Sequence, residues 1–338
     1  MAADPASALV LALETSCDET AAAVLRGGVL LASEVASQIA IHAQYGGVVP
    51  EVASRNHLRA LKPVIAGALA VAGVRIEEID AFAATCGPGL ASSLMIGTSV
   101  AKALAVARRK PYLAINHLEG HLLSPFFGTA EGVRPAVALV VSGGHTLLVE
   151  IEAFGKYRLL GQTQDDAAGE AFDKVGKLLG LPYPGGPNVN RMAQGGEATR
   201  CEFPRSMIDS GDLNFSFSGL KTSVRYLLPK LSSISLPDVC ASFQEAVVDV
   251  LVAKTLSATQ ITRRRLVAVS GGVSCNTRLR EKLHAACAAG GLELLIAQPT
   301  LCTDNAAMIG YVASLQLSCG HASSLTSDID PNLRLATC

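Results

Sequence analysis

No apolar run in the chain approaches the ~18 residues that a membrane-spanning helix needs, although 49% of its 338 residues are hydrophobic. Charge is scarce as well. Charged residues make up 17%, and 28 Lys and Arg against 29 Asp and Glu leave a formal net charge of -1. The whole molecule therefore exerts no general attraction on nucleic acid. The N-terminus lacks a basic n-region, and its apolar run "ALVLAL" stops at Glu14, too short for a signal peptide and too poor in Arg for a transit peptide. The expectation is a soluble, cytoplasmic chain with no membrane contact. Nine cysteines are present without any Cys-x-x-Cys, which excludes a zinc ribbon and a thioredoxin motif; most of them read as small buried hydrophobes. Two nucleotide signatures are also missing. "SGLKTS" has Lys221 and Thr222 but no glycine directly before the lysine, and "GPGLASS" fails a dinucleotide fingerprint at its third glycine.

What is present alternates. The apolar runs "ALVLALE", "AFAAT", "YLAIN", "AVALVVS", "LVAVS" and "LELLIA" read as strands. Without strict polar alternation, they are strands covered on both faces. Helical patterns fit 51–72, 91–109, 168–180, 237–258, 274–289 and 304–319, giving an α/β protein. Segments 8–25 and 136–151 share a plan of apolar strand, small polar turn and apolar strand, and each opens one half of the chain. Either the chain is a duplicated unit of two α/β lobes, or two ordinary hairpins coincide. Residues 181–236, rich in Pro, Gly and hydroxyls, interrupt the rhythm and read as a loop-rich insertion over the cleft between the lobes.

"NHLEGHLLSP" sets His117 and His121 one helical turn apart, on one face, as a metal pair would be. A His-Glu-x-x-His peptidase places its base directly after the first histidine, roughly 80° from the metal direction. Here Leu118 fills that position, and Glu119 lies roughly 180° away, so a peptidase has lost its base while the pair survives. A pair alone is also compatible with a structural role, so a third ligand is required. Asp304 in "LCTDNAAMIG" stands at a helix start, either as that ligand, favoured by the helix dipole, or as a simple N-cap. "VVSGGHT" and "VSGGVSCN" each follow a strand with Val-Ser and paired glycines, which let backbone N–H groups approach an anion. The second adds Asn276, whose amide can both donate and accept toward a nucleoside.

Seven motifs in order, "ETSCDET", "NHLEGH", "VSGGHT", "GEAFDKVGKLLGLPYPGGP", "FSFSGLKT", "SGGVSCN" and "CTDNAAMIG", run along almost the whole chain. Together they resemble the tRNA adenosine threonylcarbamoyltransferases, the bacterial TsaD type and its mitochondrial relatives, once labelled O-sialoglycoprotein endopeptidases. The resemblance implies an actin-like (sugar kinase/Hsp70-type) fold. It has two duplicated lobes with mixed sheets around a nucleotide cleft, lobe I from 1–130 plus 304–338 and lobe II from 131–303. It implies transfer of a threonylcarbamoyl group from threonylcarbamoyl-adenylate to N6 of adenosine 37 in tRNAs reading ANN codons.

His117, His121 and Asp304 then match the ligands of one divalent ion, iron or zinc. Val140, Val141, Ser142, Gly143 and Gly144 match the donor turn, with Asp173, Gly186 and Asn276 completing the adenylate site. Asp18 and Glu19 are the candidates for accepting a proton, the alternative being that they satisfy backbone groups of a hairpin turn. Lys221 is either a phosphate contact or a solvated surface lysine. Many relatives carry Asp where this chain has Asn190, so that position is not assigned. The basic stretches "ARRK" (107–110) and "TRRRL" (262–266) read as solvated helix ends rather than an RNA patch. Implied partners are tRNA, a TsaB-type paralogue and a small TsaE-type ATPase if the chain is bacterial, or a second copy of itself if mitochondrial. Three rivals compete: a metallopeptidase, a sugar or acetate kinase, and a non-catalytic nucleotide-binding scaffold. Magnesium in a kinase prefers oxygen ligands, which two imidazoles do not supply.

Overall fold

A computed structural model describes residues 7–227 and 234–335. The strands are β1 (Leu9–Glu14), β2 (Glu19–Arg26), β3 (Val29–Ser37), β4 (Ala81–Gly87), β5 (Tyr112–Asn116), β6 (Ala136–Val141), β7 (Thr146–Ala153), β8 (Lys156–Gln162), β9 (Leu266–Ser270) and β10 (Glu293–Ile296). The helices in the first third are α1 (Ile39–Ala43), α2 (Pro50–Ala72), α3 (Ala91–Arg108) and α4 (His117–Leu123). Then come α5 (Ala168–Leu178), α6 (Gly185–Ala193), α7 (Ser218–Leu227), α8 (Leu236–Thr262), α9 (Thr277–Ala289), α10 (Pro299–Cys302) and α11 (Ala306–Ser318). The chain divides into two compact units, one running to Gly132 and taking in Asp304–Leu335, the other spanning Val133–Thr303.

The first unit holds a sheet ordered β3-β2-β1-β4-β5, and the second a sheet whose order is β8-β7-β6-β9-β10 when read from its own third strand. In each, the first strand pairs antiparallel with the second and parallel with the fourth. The second pairs antiparallel with the third, and the fourth pairs parallel with the fifth. Two sheets with the same order and the same directions are a duplicated unit, and the two similar hairpins at 8–25 and 136–151 are its matching openings.

Strand β1 is buried along its whole length because helices cover both faces. Leu9, Leu11 and Leu13 point one way, into a core with Leu61 and Val64 of α2 and Ala101 and Ala105 of α3. Each such leucine contributes about 1.5–3 kcal/mol by leaving water. The alternate face is small, so α11 comes close: a Cβ on Gly310 would stand 3.3 Å from that of Ala12. The second unit repeats the arrangement, Val137, Leu139 and Val141 of β6 packing with Phe172 of α5 and Phe243 and Val247 of α8.

The turn-rich segment 181–236 is not bare loop. It contains α6 and α7, and it sends Phe203, Phe215, Phe217, Leu220 and Val224 into the core of the second unit. Residues 228–233 of that segment, and 1–6 and 336–338 of the expected lobes, lie outside the described residues. Two of the four hydroxyls of "NFSFSGLKTS" are committed: Ser216 and Ser218 both donate to Asp165, which also accepts from the Phe217 and Ser218 amides at the start of α7. Among the described residues, no helix is long and apolar enough to cross a membrane.

Candidate active site

The metal candidates form from β5 running straight into α4. Asn116, the last strand residue, caps the helix by accepting from the Leu118 amide at 2.8 Å and the Glu119 amide at 3.3 Å. The next residue, His117, and His121 one turn on are thereby aimed together, their rings 4.7 Å apart and near-perpendicular. Gly120 lets α4 press against α11, since a Cβ there would meet Ile309 at 3.0 Å and Met308 at 3.1 Å. That contact brings Asp304, just ahead of α11, beside the histidines.

Asp304 Oδ1 lies 3.1 Å from His121 Nε2 and 3.5 Å from His117 Nε2. The ligand atoms of the three residues all fall within 4.8 Å of one another. A cation bonded at about 2.0–2.2 Å to nitrogen and oxygen spaces its neighbouring ligands about 3.0–3.5 Å apart, and both histidine–Asp304 separations match that spacing. The N-cap of α11 is Asn305, whose side chain accepts from the Met308 amide at 2.9 Å. Asp304 is therefore not the cap, and a metal-ligand role carries no loss of helix capping. Glu119 stands outside the cluster.

Glu14 was not singled out among the site candidates from the sequence. At the end of β1 it is fully buried, and its Oε2 meets His117 Nδ1 at 3.1 Å while accepting from Thr85 Oγ1 at 2.6 Å. Its Oε1 accepts from the Ser16 amide at 2.5 Å. This is a carboxylate supporting a histidine from behind, which fixes the ring and strengthens the other nitrogen as a ligand. Its sequence signals are an acidic residue terminating an otherwise apolar strand and a place at the head of "ETSCDET". Burial opposes charge on His117, yet Asp304 and Glu14 hold its imidazole up at about 9. Burial likewise opposes ionisation of Glu14, but the charge and hydrogen bond of His117 lower it overall. Two carboxylates facing two imidazoles make a place that favours a cation. His121 Nδ1 is buried without a hydrogen-bond partner, so the support is one-sided. Glu14→Gln is expected to weaken metal affinity about 10- to 100-fold, read by competition with a chromogenic chelator.

In the same unit, Glu19 opens β2. Its Oε1 accepts from Ser37 Oγ at 2.8 Å, and its Oε2 is buried without a partner. Burial, only partly offset by Ser37 and reinforced by the charges of Asp18 and Asp304, pushes Glu19 up to about 7. Burial and Asp304 also raise Asp18. The turn between them and β1 is pinned by His57, which is buried in α2: its Nε2 contacts the Cys17 carbonyl at 2.9 Å and its Nδ1 meets Thr20 Oγ1 at 2.7 Å.

The second unit gathers the donor candidates. Parallel β6 and β9 pair Val140 with Ser270, so both glycine turns leave the same end of adjacent strands, where α/β sheets commonly bind ligands. Val140 and Val141 are buried strand residues, and Gly143 and Gly144 are exposed with open space where a Cβ would be. The Gly169 amide donates to the Ser142 carbonyl at 3.2 Å, seating the start of α5 on the turn. Asp173 Oδ1 accepts from the Gly185 amide at 2.7 Å and the Gly186 amide at 3.4 Å, tying α6 to α5. Asn276 departs from a free nucleoside partner: its Oδ1 caps α9 through Leu279 at 3.0 Å, and its Nδ2 donates to Gln244 at 2.7 Å. Asn190 accepts from Thr277 Oγ1 at 2.9 Å, and Lys221 is exposed on α7.

A Cβ on Gly169 would lie 2.5 Å from the Ser142 carbonyl and 2.7 Å from Gly143 Cα. Gly169→Ala should therefore displace the turn, destabilising the protein by about 1–3 kcal/mol and raising KM for the donor. Denaturant titration and steady-state kinetics check the two parts.

Both basic stretches end helices. Arg109 and Arg263 are left-handed C-caps, Arg108 pairs with Glu77 at 2.6 Å, Lys110 with Asp80 at 2.9 Å, and Arg264 with Glu150 at 2.8 Å.

Residues 29–311 match the family described as TsaD, tRNA N6-adenosine threonylcarbamoyltransferase. The chain is 52% identical over 327 residues to the tRNA N6-adenosine threonylcarbamoyltransferase of Pelobacter propionicus, spanning 95% of this chain and 96% of that one. It is 46% identical over 332 residues to that of Clostridium perfringens, spanning 97% and 98%. Among solved structures it resembles HypF of T. kodakarensis, with TM-score 0.62 and 13% identity over 92% of this chain and 48% of that one. It also resembles component A of the Acidaminococcus fermentans (R)-2-hydroxyglutaryl-CoA dehydratase, with TM-score 0.56 and 14% identity over 92% and 99%. At such identities these likenesses show the fold alone, and that fold is actin-like.

Proposed function

Because the chain belongs to the tRNA N6-adenosine threonylcarbamoyltransferase family, we propose that His117, His121 and Asp304 hold one divalent cation, iron or zinc, during transfer. The enzyme modifies tRNA to carry the t6A nucleoside. The donor is threonylcarbamoyl-adenylate and the acceptor the N6 amine of adenosine 37 in tRNAs reading ANN codons. The observation that carries the metal reading is the approach of two imidazole nitrogens to one carboxylate oxygen at 3.1 and 3.5 Å, with Glu14 behind the first imidazole. Borderline nitrogen ligands with a single carboxylate suit iron or zinc over magnesium. When bound, the ion supplies Lewis-acid polarisation of the donor.

The remaining work falls to the chain. The adenylate rests on the turn Val140–Gly144, whose exposed glycines admit a phosphate to the backbone. Asp173 and Gly186 fix the α5–α6 junction beside it, and Asn276 sets the start of α9. The mixed anhydride is already activated while an aromatic amine is a weak nucleophile, so positioning and proton removal dominate. Glu19 accepts the proton of the attacking amine through its unpartnered Oε2, and Asp18 keeps its affinity for protons high. The protein acts in the cytoplasm, with a TsaB-type paralogue and a TsaE-type ATPase supplying part of the tRNA affinity. In a mitochondrial setting a second copy of the chain takes their place.

The test supplies threonine, bicarbonate, ATP, the adenylate-forming enzyme and unmodified tRNA, and reads modified adenosine by mass spectrometry. Formation of t6A that is abolished by a chelator and restored by iron or zinc is expected. Chelator-insensitive transfer by protein shown to be metal-free would overturn the metal role.

A further inference from the structure

After α11 the described chain forms no further helix or strand, yet its main chain stays bonded to the first sheet. The Ser323 amide donates to the Tyr112 carbonyl at 2.8 Å, and Ser323 Oγ accepts from the Ala114 amide at 2.9 Å, both on β5. Lys102 of α3 donates to the Ser327 carbonyl. The Asp330 amide donates to the Cys86 carbonyl of β4 at 2.9 Å, and the Pro331 carbonyl accepts from the Gly89 amide at 3.1 Å. Finally, the Arg334 carbonyl accepts from Asn116 Nδ2 at 2.9 Å. We infer that this strap, residues 330–334, is a positioning element for His117 that sets the affinity of the metal site; the inference rests on the metal reading of that histidine.

Two routes run from the strap to the imidazole. Asn116 uses both ends of its amide: Nδ2 grips the Arg334 carbonyl, while Oδ1 caps α4 through the Leu118 and Glu119 amides. The side-chain amide is planar, so anchoring its nitrogen fixes where its oxygen points, and the cap in turn fixes the first turn of the helix that aims His117. The second route passes through Gly89, which is bonded to Pro331. The next amide, that of Leu90, donates to the Ser16 carbonyl at 2.8 Å, and Ser16 Oγ lies 3.2 Å from His117 Nδ1, the nitrogen that also faces Glu14. Both approaches are tight. A Cβ on Gly87 would stand 2.8 Å from that of Leu333, and one on Gly89 would stand 2.6 Å from the Ser16 carbonyl oxygen.

The strap matters more to the site than to the fold. Asp328, Asp330, Asn332 and Arg334 are exposed, and the core of this unit is made by β1, β4, α2 and α3 without them. A segment with few buried apolar contacts opens without unfolding the rest. Ligand geometry is less forgiving, since outer partners of a metal-binding histidine change affinity about 10- to 100-fold.

Two variants test this in the full protein, with zinc as the probe and a chromogenic chelator as competitor. Asn116→Ser keeps a capping oxygen, because Ser and Asn cap comparably, but has no nitrogen to reach Arg334. A chain ended after Ile329 keeps Asn116 and removes the strap. Asn116→Ser is expected to weaken zinc binding about 10-fold and the shortened chain about 10- to 100-fold. Combined, they should do no more than the shortening alone, because the substitution acts through a bond already gone. Exchange of the Leu118 and Glu119 amides, read by hydrogen exchange across α4, should quicken in both variants whether or not an ion binds. Zinc affinity equal to that of the unsubstituted protein in either variant, additive losses, or unchanged exchange at α4 overturns the proposal. An unsubstituted protein without zinc affinity would instead remove the metal reading, and the exchange at α4 then decides the strap by itself.

Discussion

Asp304→Ala is expected to release the metal and to slow threonylcarbamoyl transfer by about 1,000-fold or more. Loss of Lewis-acid stabilisation amounts to several kcal/mol, and each 1.36 kcal/mol is about a factor of ten in rate. Asp304 is the cleanest of the three proposed ligands to remove. His117 and His121 are buried, so truncating either opens a cavity, and removing His117 also strands the buried Glu14. Asp304 is partly exposed, and the cap of α11 belongs to Asn305, so the helix keeps its start without it. Circular dichroism should therefore be unchanged while elemental analysis shows the metal gone. A variant that retains its metal and half its rate would remove Asp304 from the site.

Glu19→Gln carries the second large effect, a fall in transfer of about 100- to 10,000-fold, the range that a positioned general base contributes. The sign of its pH dependence follows from the carboxyl held up at about 7. A base works in its ionised form, so the unsubstituted enzyme loses rate as pH falls below about 7, whereas Glu19→Gln is slow and flat across that range. Stability moves the opposite way. The folded state disfavours the ionised carboxylate, so above pH 7 the neutral amide should raise the denaturation midpoint. A purely structural acid that only ties β2 to Ser37 would share the gain in stability, which comes from burial, but would leave the acid limb of the rate profile in place. Asp18→Asn serves as the comparison, since near-normal rates in both variants would dismiss the acid pair.

Much of the site was legible because it is local. His117 and His121 meet for the reason their four-residue spacing gives, a shared helix face. The displaced Glu119 likewise argued against a peptidase from its angle on the helix. The paired glycines after β6 and β9 lie where their strand-turn pattern indicates, and the two similar hairpins correspond to two sheets of the same order. Helix starts were less legible. The pattern beginning at 304 places Asp304 in the helix, whereas Asn305 takes the cap and the helix begins at Ala306. Asn276 presents the same ambiguity, its amide being committed to the cap and to Gln244. Edge strands β3 and β8, half exposed and mixed in composition, carry no continuous apolar run to announce them.

The sequence by itself determined the α/β alternation, the histidine pair, the glycine turns and the family, because each is written in spacing over a few residues or in motif order. Only the tertiary structure decided that Asp304, 183 residues beyond His121, comes within 3.1 Å of its ring and that Glu14 stands behind His117. Those pairings depend on which strands lie side by side and how closely helices approach them. Such distances are set by packing across the whole unit, and no local pattern along the chain encodes them.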